Sequence, residues 1–543
     1  MANCVPVPLL RRLTALALAA PLSLGLVAAC GDDLEDPDSE DDGDDGDDGS
    51  ACASTEVEEF PDGPYGSPEQ LVLEDFDCPT DGLADVDLSG RWSLFLPFSP
   101  FSFQMPLIEE SCDEGLRVEL ASVPDPLIHR DGTNLFIRAQ QSQGDATITV
   151  AARVCASSNA DELAVVAGQC FQGPDSEEPQ CFSGLGQMKR FGRPEGEAEA
   201  DGLELVSEWS GGDAPWPVSI TTNVKVADGV AFISRLAESE SNPAELRLVD
   251  VSNPAEPRDL AVVTGEDDPS SDFNDVKLFQ ANGGTHAVLA GGLCPVVDAR
   301  DPANPVVVSK IGEYAHSIFM RVDDEGRPLA YLATYGPDVP IYDLSDPANP
   351  VLVERVATPP SKGQPGSSVQ VHDLYAEQDR LYLNGTWDGF LIMDRVDDVW
   401  TANGQLPTSY SHAAWVGEVA GRQIAIHGDE GYDAYLRVVD VDPESPEFMT
   451  AIGTYQTRPE VSIHNIMLFG DRVYLTYYHD GVRILDLADP TSPQLVAHYH
   501  TWDVETGLPG PFEAAIGLDV DQKAGLVYVA DVSRGLLILR ETK

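Results

Sequence analysis

The chain has 543 residues, enough for several domains or for one large repeat fold with a substantial core. Its 32 Lys and Arg residues against 92 Asp and Glu residues give a formal charge of −60, which excludes a general affinity for nucleic acid or anionic lipid surfaces because both need a basic surface. The 42 % hydrophobic content excludes a wholly disordered chain, and 47 Gly and 41 Pro residues favour the many turns of an all-β protein.

The first 29 residues have the zones of an export signal. Arg11 and Arg12 close a short basic region, and residues 13–26 form an uncharged apolar run shorter than a membrane span of about 20 residues. The sequence Val27-Ala28-Ala29-Cys30 resembles a bacterial lipobox. The resemblance implies that residues 1–29 are a lipoprotein signal peptide and that Cys30 carries a diacylglycerol anchor in the cell envelope, at the outer membrane or cell surface. The alternative is an ordinary secretory signal with an incidental Cys30.

Residues 30–50 are predicted to be an acidic, disordered tether. They include a run of Asp pairs separated by single glycines, from Asp41 to Gly49. Like charges repel one another and glycine adds backbone freedom, so an extended spacer is expected.

Residues 51–200 are predicted to be a Cys-rich β domain. Short β-type runs occur at residues 91–96, 116–120, 135–138, 147–152 and 163–167, and they indicate a small disulfide-stapled β domain or a partly open barrel. The disulfide candidates are Cys52, Cys78, Cys112, Cys155, Cys170 and Cys181. An even cluster in an exported chain favours disulfides over a zinc site, and Cys170 with Cys181, which enclose a polar loop, is the favoured pair. Cys294 lies in an apolar run, which predicts a buried, inert thiol.

A repeated pattern fills the remainder: an apolar run, an Asp, a turn of the form Asp/Asn-Pro-x-x-Pro, and a second apolar run. The Asp residues that end the first run are Asp250, Asp298, Asp343, Asp394, Asp440 and Asp486. Their spacings are 48, 45, 51, 46 and 46 residues, and the copy at Asp394 lacks the prolines. Proline fixes φ, and Asp or Asn accepts backbone hydrogen bonds, so each copy predicts a tight turn between strands.

Such a period, with four short strands in each unit, predicts a seven-bladed β-propeller over residues 203–543. The expected innermost strands begin near Thr222, Asn274, His316, His372, His412, His464 and Ile516. The chain ends after a third strand, and residues 203–209 are predicted to supply the missing fourth strand. The ring would then close by sharing one blade between both ends of the chain, which removes open sheet edges.

The pattern Leu-Val-x-Val-Asp-x-Ser-Asp-Pro-x-x-Pro and the run YLTYYHDGVRILDL at residues 474–487 resemble the LVIVD-repeat β-propellers. These are exported or surface proteins of bacteria and archaea with no single assigned activity. The resemblance covers about residues 205–543. It implies the fold and an extracytoplasmic place, but no reaction, because propellers serve unrelated functions.

Four histidines share one phase of the repeat: His316, His372, His412 and His464. Each is expected at the start of an innermost strand, so the four would line the axial channel in consecutive blades. Converging imidazoles are a candidate copper, zinc or nickel site. Asp373 and Asn465 follow two of these histidines, and the segment 427–430 could add ligands or an outer shell of hydrogen bonds. The alternatives are structural histidines that hydrogen-bond the neighbouring blade, or a pocket without metal.

The fourth and fifth units depart most from the repeat, through a long insert at residues 396–411 and extra residues at 427–434. Trp400, Tyr410, Trp415 and Tyr432 lie in or near these segments. Departures of this kind often mark the binding face.

Because the sequence carries no catalytic motif, it favours a monomeric, membrane-anchored binding or scaffold module for an extracytoplasmic protein, glycan or small ligand. A metal-dependent copper or zinc enzyme using the four histidines is the alternative.

Overall fold

The structure, a computed structural model, describes most of residues 86–211 with short gaps, then residues 220–236, 243–265, 272–504 and 510–543, and a few isolated positions. The described chain falls into two compact units, one ending at Arg193 and the other beginning at Pro194. The described residues include no helix long and apolar enough to cross a bilayer. The predicted signal, lipid site and tether lie outside the described residues, as do Cys52, Cys78 and Cys112.

The first unit is a nearly closed sheet of nine antiparallel strands. The strands are β1 (Gly90–Phe95), β2 (Phe103–Gln104), β3 (Leu107–Ser111), β4 (Gly115–Glu119), β5 (Leu127–Arg130), β6 (Asn134–Gln143), β7 (Ala146–Asn159), β8 (Glu162–Gln172) and β9 (Gln180–Arg190). Their order is β4-β3-β1-β9-β8-β7-β6-β5, with β2 paired to β1. The fully buried Trp92 and Met188 lie in its core, and the Trp92 indole donates to the Leu88 carbonyl at 2.8 Å.

The predicted Cys170–Cys181 disulfide is confirmed. The two residues face each other directly across β8 and β9, with their Cα atoms 4.1 Å apart. Cys155 is also disulfide-bonded. Cys294, in the second unit, is free and buried as predicted, and burial raises the pKa of its thiol to about 12.

The second unit is a seven-bladed β-propeller, which confirms the predicted fold. Blade 1 contains β12 (Thr221–Ala227), β13 (Val230–Arg235), β14 (Glu245–Asp250) and β15 (Arg258–Thr264). Blade 2 contains β16 (Asp275–Ala281), β17 (Gly284–Ala290), β18 (Pro295–Asp298) and β19 (Val306–Lys310). Blade 3 contains β20 (Ser317–Val322), β21 (Pro328–Ala333), β22 (Asp338–Asp343) and β23 (Val351–Ala357).

Blades 4 and 5 follow the same antiparallel order. Blade 4 contains β24 (Asp373–Ala376), β25 (Arg380–Asn384), β26 (Phe390–Val396) and β27 (Val399–Leu406). Blade 5 contains β28 (Ser411–Val419), β29 (Arg422–Asp429), β30 (Leu436–Asp440) and β31 (Ala451–Tyr455).

Blades 6 and 7 each take a strand from the segment that precedes blade 1. Blade 6 contains β32 (Ile466–Phe469), β33 (Arg472–Thr476), β34 (Val482–Asp486) and β35 (Gln494–Tyr499), with β10 (Ala200–Asp201) added outside β35. Blade 7 contains β36 (Ala515–Asp521), β37 (Leu526–Asp531) and β38 (Gly535–Glu541), completed by β11 (Leu203–Trp209). The predicted closure by residues 203–209 is therefore confirmed. The seven innermost strands begin within two residues of their predicted starts.

The repeated Asp acts at the turn as its position predicts. In blade 1, Asp250 Oδ1 accepts the Ser252 backbone N–H at 2.9 Å, and Asn253 Oδ1 accepts that of Ala255 at 3.3 Å. The next copy repeats both bonds: Asp298 Oδ1 accepts from Arg300 N–H at 3.1 Å, and Asp301 Oδ1 accepts from Ala303 N–H at 3.2 Å. These side chains satisfy backbone donors that the strands leave unpaired.

The proline-free copy in blade 4 differs from the predicted long insert. Val396 and Val399 pair directly, so only Asp397 and Asp398 connect β26 to β27. Both have positive φ values of 50° and 61°, as a two-residue hairpin of type I′ requires. Proline cannot adopt such values, so its absence from this copy has a direct backbone reason. Most of residues 396–411 is therefore the outer strand β27.

Candidate functional site

The four predicted histidines form a continuous arc across blades 3 to 6. His316 and His372 directly precede β20 and β24, whereas His412 lies in β28 and His464 lies two residues before β32. The distances between the centroids of successive rings along this arc are 4.2, 4.3 and 4.5 Å. The repeat phase therefore does place the four imidazoles side by side where the innermost strands begin.

The second strand of each blade brings further side chains to the same place. It runs antiparallel to the innermost strand, so its end lies beside the start of that strand. Tyr335, Glu430 and Tyr478 follow the ends of β21, β29 and β33 in this way. The Tyr335 ring lies 5.4 Å from His316, and the Tyr478 ring lies 5.4 Å from His464.

Tyr410, just before β28, completes the group with its ring 5.7 Å from that of His372. We call this group the axial mouth: His316, His372, His412, His464, Tyr335, Tyr410, Tyr478 and Glu430.

Burial keeps the imidazoles of the axial mouth neutral. Desolvation lowers the pKa of His316 to about 4 and the pKa values of His412 and His464 to about 3. The pKa of His372 is lowered well below its ordinary value by desolvation and by the three neighbouring histidines. Desolvation also raises the pKa of the Glu430 carboxyl. It raises the pKa values of three phenols as well, those of Tyr335, Tyr410 and Tyr478. At neutral pH each imidazole thus keeps one nitrogen lone pair, which is the form that binds metal ions.

Glu430 links two sides of the mouth. Its Oε1 accepts a hydrogen bond from the Tyr478 hydroxyl at 2.7 Å, and its Oε2 lies 3.7 Å from His412 Nε2. The side chain is 10 % exposed. One of its oxygens is held by a phenol and the other faces an imidazole in a largely dry environment.

The four histidines are not equivalent. His464 Nδ1 lies 2.8 Å from the Ile516 carbonyl of blade 7, which is the structural bond between blades that the sequence offered as an alternative. The Nδ1 atoms of His372 and His412 are buried and make no hydrogen bond of normal geometry, although the backbone of the next histidine, His412 and His464 respectively, favours a proton on each ring. His372 and His412 are 6 % and 3 % exposed. Buried polar atoms are normally paired, so two orphaned nitrogens in one cluster call for an explanation.

Three side chains of the mouth can offer donors to one ion. In the described part of the chain, His372, His412 and Glu430 place one ligand atom each within 4.8 Å of one another. The donor set therefore differs from the four histidines predicted, because Glu430 joins it and His464 bonds blade 7.

A second cluster contains Glu197, His498 and His500. These residues also place one ligand atom each within 4.8 Å of one another, but they have a different role. Both oxygens of Glu197 accept hydrogen bonds from the Arg483 guanidinium, at 3.0 and 2.9 Å, and Glu197 Oε2 also lies 2.8 Å from His500 Nε2. His498 Nε2 bonds the Ala198 carbonyl at 3.1 Å. The carboxylate is already satisfied, so this cluster is an ion pair that fastens residues 197–201 to blade 6.

The segment 427–430 divides between two environments. Glu430 joins the mouth, whereas His427 Nε2 lies 2.8 Å from Ser411 Oγ. Asp429 Oδ1 lies 3.9 Å from that same Nε2 atom and therefore does not face Nδ1. Ser411 and His427 are both 0 % exposed. A catalytic triad needs the carboxylate on the other ring nitrogen and a reachable hydroxyl, so this trio is not a hydrolase site.

Asp373 lies outside the mouth despite following His372 in sequence. It accepts a hydrogen bond from Ser317 Oγ at 2.6 Å, and desolvation raises the pKa of its carboxyl to about 6. Ser317 Oγ also lies 3.3 Å from Asp275, which Lys277 contacts at 2.5 Å. A buried polar layer thus follows the histidine arc along the channel wall.

Sequence reasoning missed Tyr335 and Tyr478. The available signal was the phase of the second strands, because Tyr335 and Tyr478 each lie two residues after the end of such a strand, β21 and β33. Tyr410 and Glu430, by contrast, fall in the two segments that the sequence marked as departures from the repeat.

The fold and the axial mouth define the class of this chain as a seven-bladed β-propeller with a polar, aromatic channel entrance. The sequence profile of the LVIVD repeat matches residues 241–261, 329–358 and 462–501, so blades 1, 3 and 6 contain LVIVD repeats. A search of curated protein sequences found no match.

Solved structures with some similarity include BamB from Moraxella catarrhalis, with a TM-score of 0.38 and 12 % identity over 59 % of this chain and 85 % of that one. Another is the computationally designed Ika8 protein, with a TM-score of 0.35 and 9 % identity over 60 % of this chain and 96 % of that one.

Proposed function

We propose that this chain is an exported, lipid-anchored β-propeller that binds an extracytoplasmic ligand at its axial mouth. The anchor is Cys30 of the lipobox-like segment, and residues 30–50 serve as the spacer between membrane and folded units. A lipid joined through an acidic spacer would keep the propeller near the envelope while leaving its faces accessible. The partner class spans a protein, a glycan or a small ligand.

The axial mouth is the observation that carries the proposal. Four imidazoles, three phenols and one carboxyl converge at one end of the channel, and two of the imidazole nitrogens are buried without partners. Binding sites are typically concave, aromatic-lined and supplied with a few converging polar groups. Desolvated polar atoms without partners cost free energy, and a ligand that pairs with them recovers it.

Native mass spectrometry tests binding at the mouth. The full-length chain is purified from the envelope of cells that export it, in mild detergent and without chelator. We expect a non-covalent mass on the wild type that is lost when Tyr335 and Tyr410 are both replaced by Ala. The matched control is Tyr435→Ala, whose ring stacks against Arg437 at 3.8 Å. A wild type with no bound mass, or a mass equally present in the mouth variant, would contradict the proposal.

Metabolic labelling with an alkynyl fatty acid tests the anchor. The wild type should be labelled, the Cys30→Ser variant should not, and the control Cys4→Ser should label like the wild type because residue 4 lies in the predicted signal. An unlabelled wild type would refute lipid anchoring and leave the mouth proposal to its own test.

A further inference from the structure

We infer that the axial mouth holds a divalent transition-metal ion, zinc or copper(II), with His372, His412 and Glu430 as its protein ligands. This inference rests on the proposed function, since it names the ligand class of the same mouth. The donors are two imidazole nitrogens and one carboxylate oxygen: His372 directly precedes β24 of blade 4, whereas His412 in β28 and Glu430 after β29 belong to blade 5.

The spacing of the three donor atoms suits one small ion. They lie within 4.8 Å of one another, and His412 Nε2 is already 3.7 Å from Glu430 Oε2. Ligands of a tetrahedral zinc ion at 2.0–2.1 Å lie about 3.4 Å apart. Rotations of the side chains that move the donors by about an ångström would therefore close the site around the ion.

The second nitrogen of each ligand imidazole also fits an ion at this place. The Nδ1 atoms of His372 and His412 are buried and make no hydrogen bond. His412 turns Nε2 towards Glu430, so an ion bound there takes the Nε2 lone pair and leaves a proton on Nδ1. The backbone of the next histidine along the arc, His412 for His372 and His464 for His412, favours a proton on each ring. Metal-binding histidines commonly direct their second nitrogen at a backbone carbonyl in this way.

Tyr478 positions the carboxylate. Its hydroxyl donates to Glu430 Oε1 at 2.7 Å, which orients the free Oε2 towards His412. Metal-binding carboxylates are commonly held by such an outer hydrogen bond. Three protein ligands leave a fourth position open, which is the arrangement of metal sites that bind an exchangeable water or substrate.

The donor chemistry selects the metal class. Two imidazoles with one carboxylate suit zinc and copper(II), whereas copper(I) prefers thiolate or thioether ligands, and calcium and magnesium prefer oxygen ligands alone. We therefore expect the site to discriminate strongly against calcium and magnesium.

The first experiment is a titration of the full-length, chelator-stripped chain with zinc and with copper(II), followed by elemental analysis after dialysis. The wild type should retain one ion per chain. The His372→Ala/His412→Ala variant should bind at least 100-fold more weakly, and Glu430→Gln about 10- to 100-fold more weakly. His500→Gln is the matched control, because it alters the second histidine cluster, and it should retain wild-type binding. Less than stoichiometric retention by the wild type, or loss in His500→Gln alone, would overturn the inference.

A spectroscopic measurement on the wild type keeps the test independent of variant folding. Pulsed electron paramagnetic resonance of the copper(II) form should show coupling to two imidazole nitrogens. A spectrum without imidazole coupling would refute the assignment even at full stoichiometry. If native mass spectrometry finds an organic ligand at the mouth while metal retention fails, the proposed function stands and this inference falls. If both fail, both are wrong.

Discussion

The ion pair between Glu197 and Arg483 should be a major determinant of propeller stability. Arg483 is 0 % exposed, and both of its terminal nitrogens bond the Glu197 carboxylate, whose side chain is 25 % exposed. Glu197 lies just before β10, which is added to the outside of blade 6, and β11, which completes blade 7. The replacement Glu197→Gln keeps the side-chain shape but leaves a buried guanidinium without its counter-charge.

The expected cost follows from that uncompensated charge. Removing one partner of a buried ion pair typically costs about 3–5 kcal/mol. For the roughly 350 residues of the propeller, an unfolding entropy of about 2.1 cal/mol/K per residue converts this cost to a fall of about 4–7 °C in melting temperature. Replacing the guanidinium as well, in Glu197→Gln/Arg483→Met, should recover part of the loss because no buried charge then remains.

Differential scanning calorimetry of the full-length chain measures this effect. The matched control is Glu204→Gln, which breaks the exposed pair of Glu204 with Arg540 in the same closing segment, at 3.4 Å. Exposed pairs contribute about 0–1 kcal/mol, so the control should melt within about 1 °C of the wild type. Equal effects of the two replacements would refute the reasoning, because burial is what separates them.

The pH dependence gives a second check on the same pair. Burial raises the pKa of Glu197, but the hydrogen bonds and charges of Arg483 and His500 outweigh it, so the pKa is lowered overall. A carboxyl with a depressed folded pKa stabilises the protein fully above its ordinary pKa, and that stabilisation is lost as the pH falls through the folded value. The difference in melting temperature between wild type and Glu197→Gln should therefore shrink on acidification. A gap that widens at acid pH would contradict this assignment.

Three further perturbations address the rest of the fold. Asp398→Pro should destabilise blade 4 by about 3 kcal/mol or more in denaturant unfolding, since φ is 61° there, whereas Asp398→Gly should be tolerated; equal effects would contradict the turn assignment. Gly517→Ala should lower the melting temperature, because its Cβ would lie 2.7 Å from the Asn223 Cα where blades 7 and 1 meet; an unchanged value would refute that contact. Replacing Cys170 and Cys181 by Ser should lower the free energy of unfolding of the N-terminal unit by about 3 kcal/mol in denaturant titration; an unchanged unfolding midpoint would contradict a stabilising role for this disulfide.

The architecture of the propeller could be predicted from the sequence because its signal is local and repeated. Each copy of the turn places an Asp such as Asp250 or Asp298 where its carboxylate bonds the backbone two residues on, so a short motif marks the end of one strand and the start of the next. The spacing of these copies gave the period. The unpaired last strand predicted the closure by residues 203–209, because a ring with an open edge would expose unpaired backbone groups.

The turn at Asp397 and Asp398, which has no proline, could not be predicted from the repeated motif. Without the motif, the sequence indicated a long insert, whereas the chain makes a two-residue hairpin and an outer strand. Similarly, the short strand β10 has no sequence signal of its own, because the pairing with β35 and the ion pair of Glu197 with Arg483 place it.

The sequence by itself determined that four histidines share a phase, and hence that their rings line one channel. Only the tertiary structure decided how they differ: His464 bonds the Ile516 carbonyl of blade 7 through Nδ1, whereas the Nδ1 atoms of His372 and His412 make no hydrogen bond and His412 places Nε2 beside Glu430. The physical reason is that the phase of the repeat fixes only the position of a residue along its strand in the blade. Its partners come from the neighbouring blade and from the end of the antiparallel second strand, and these are set by the packing of distant segments.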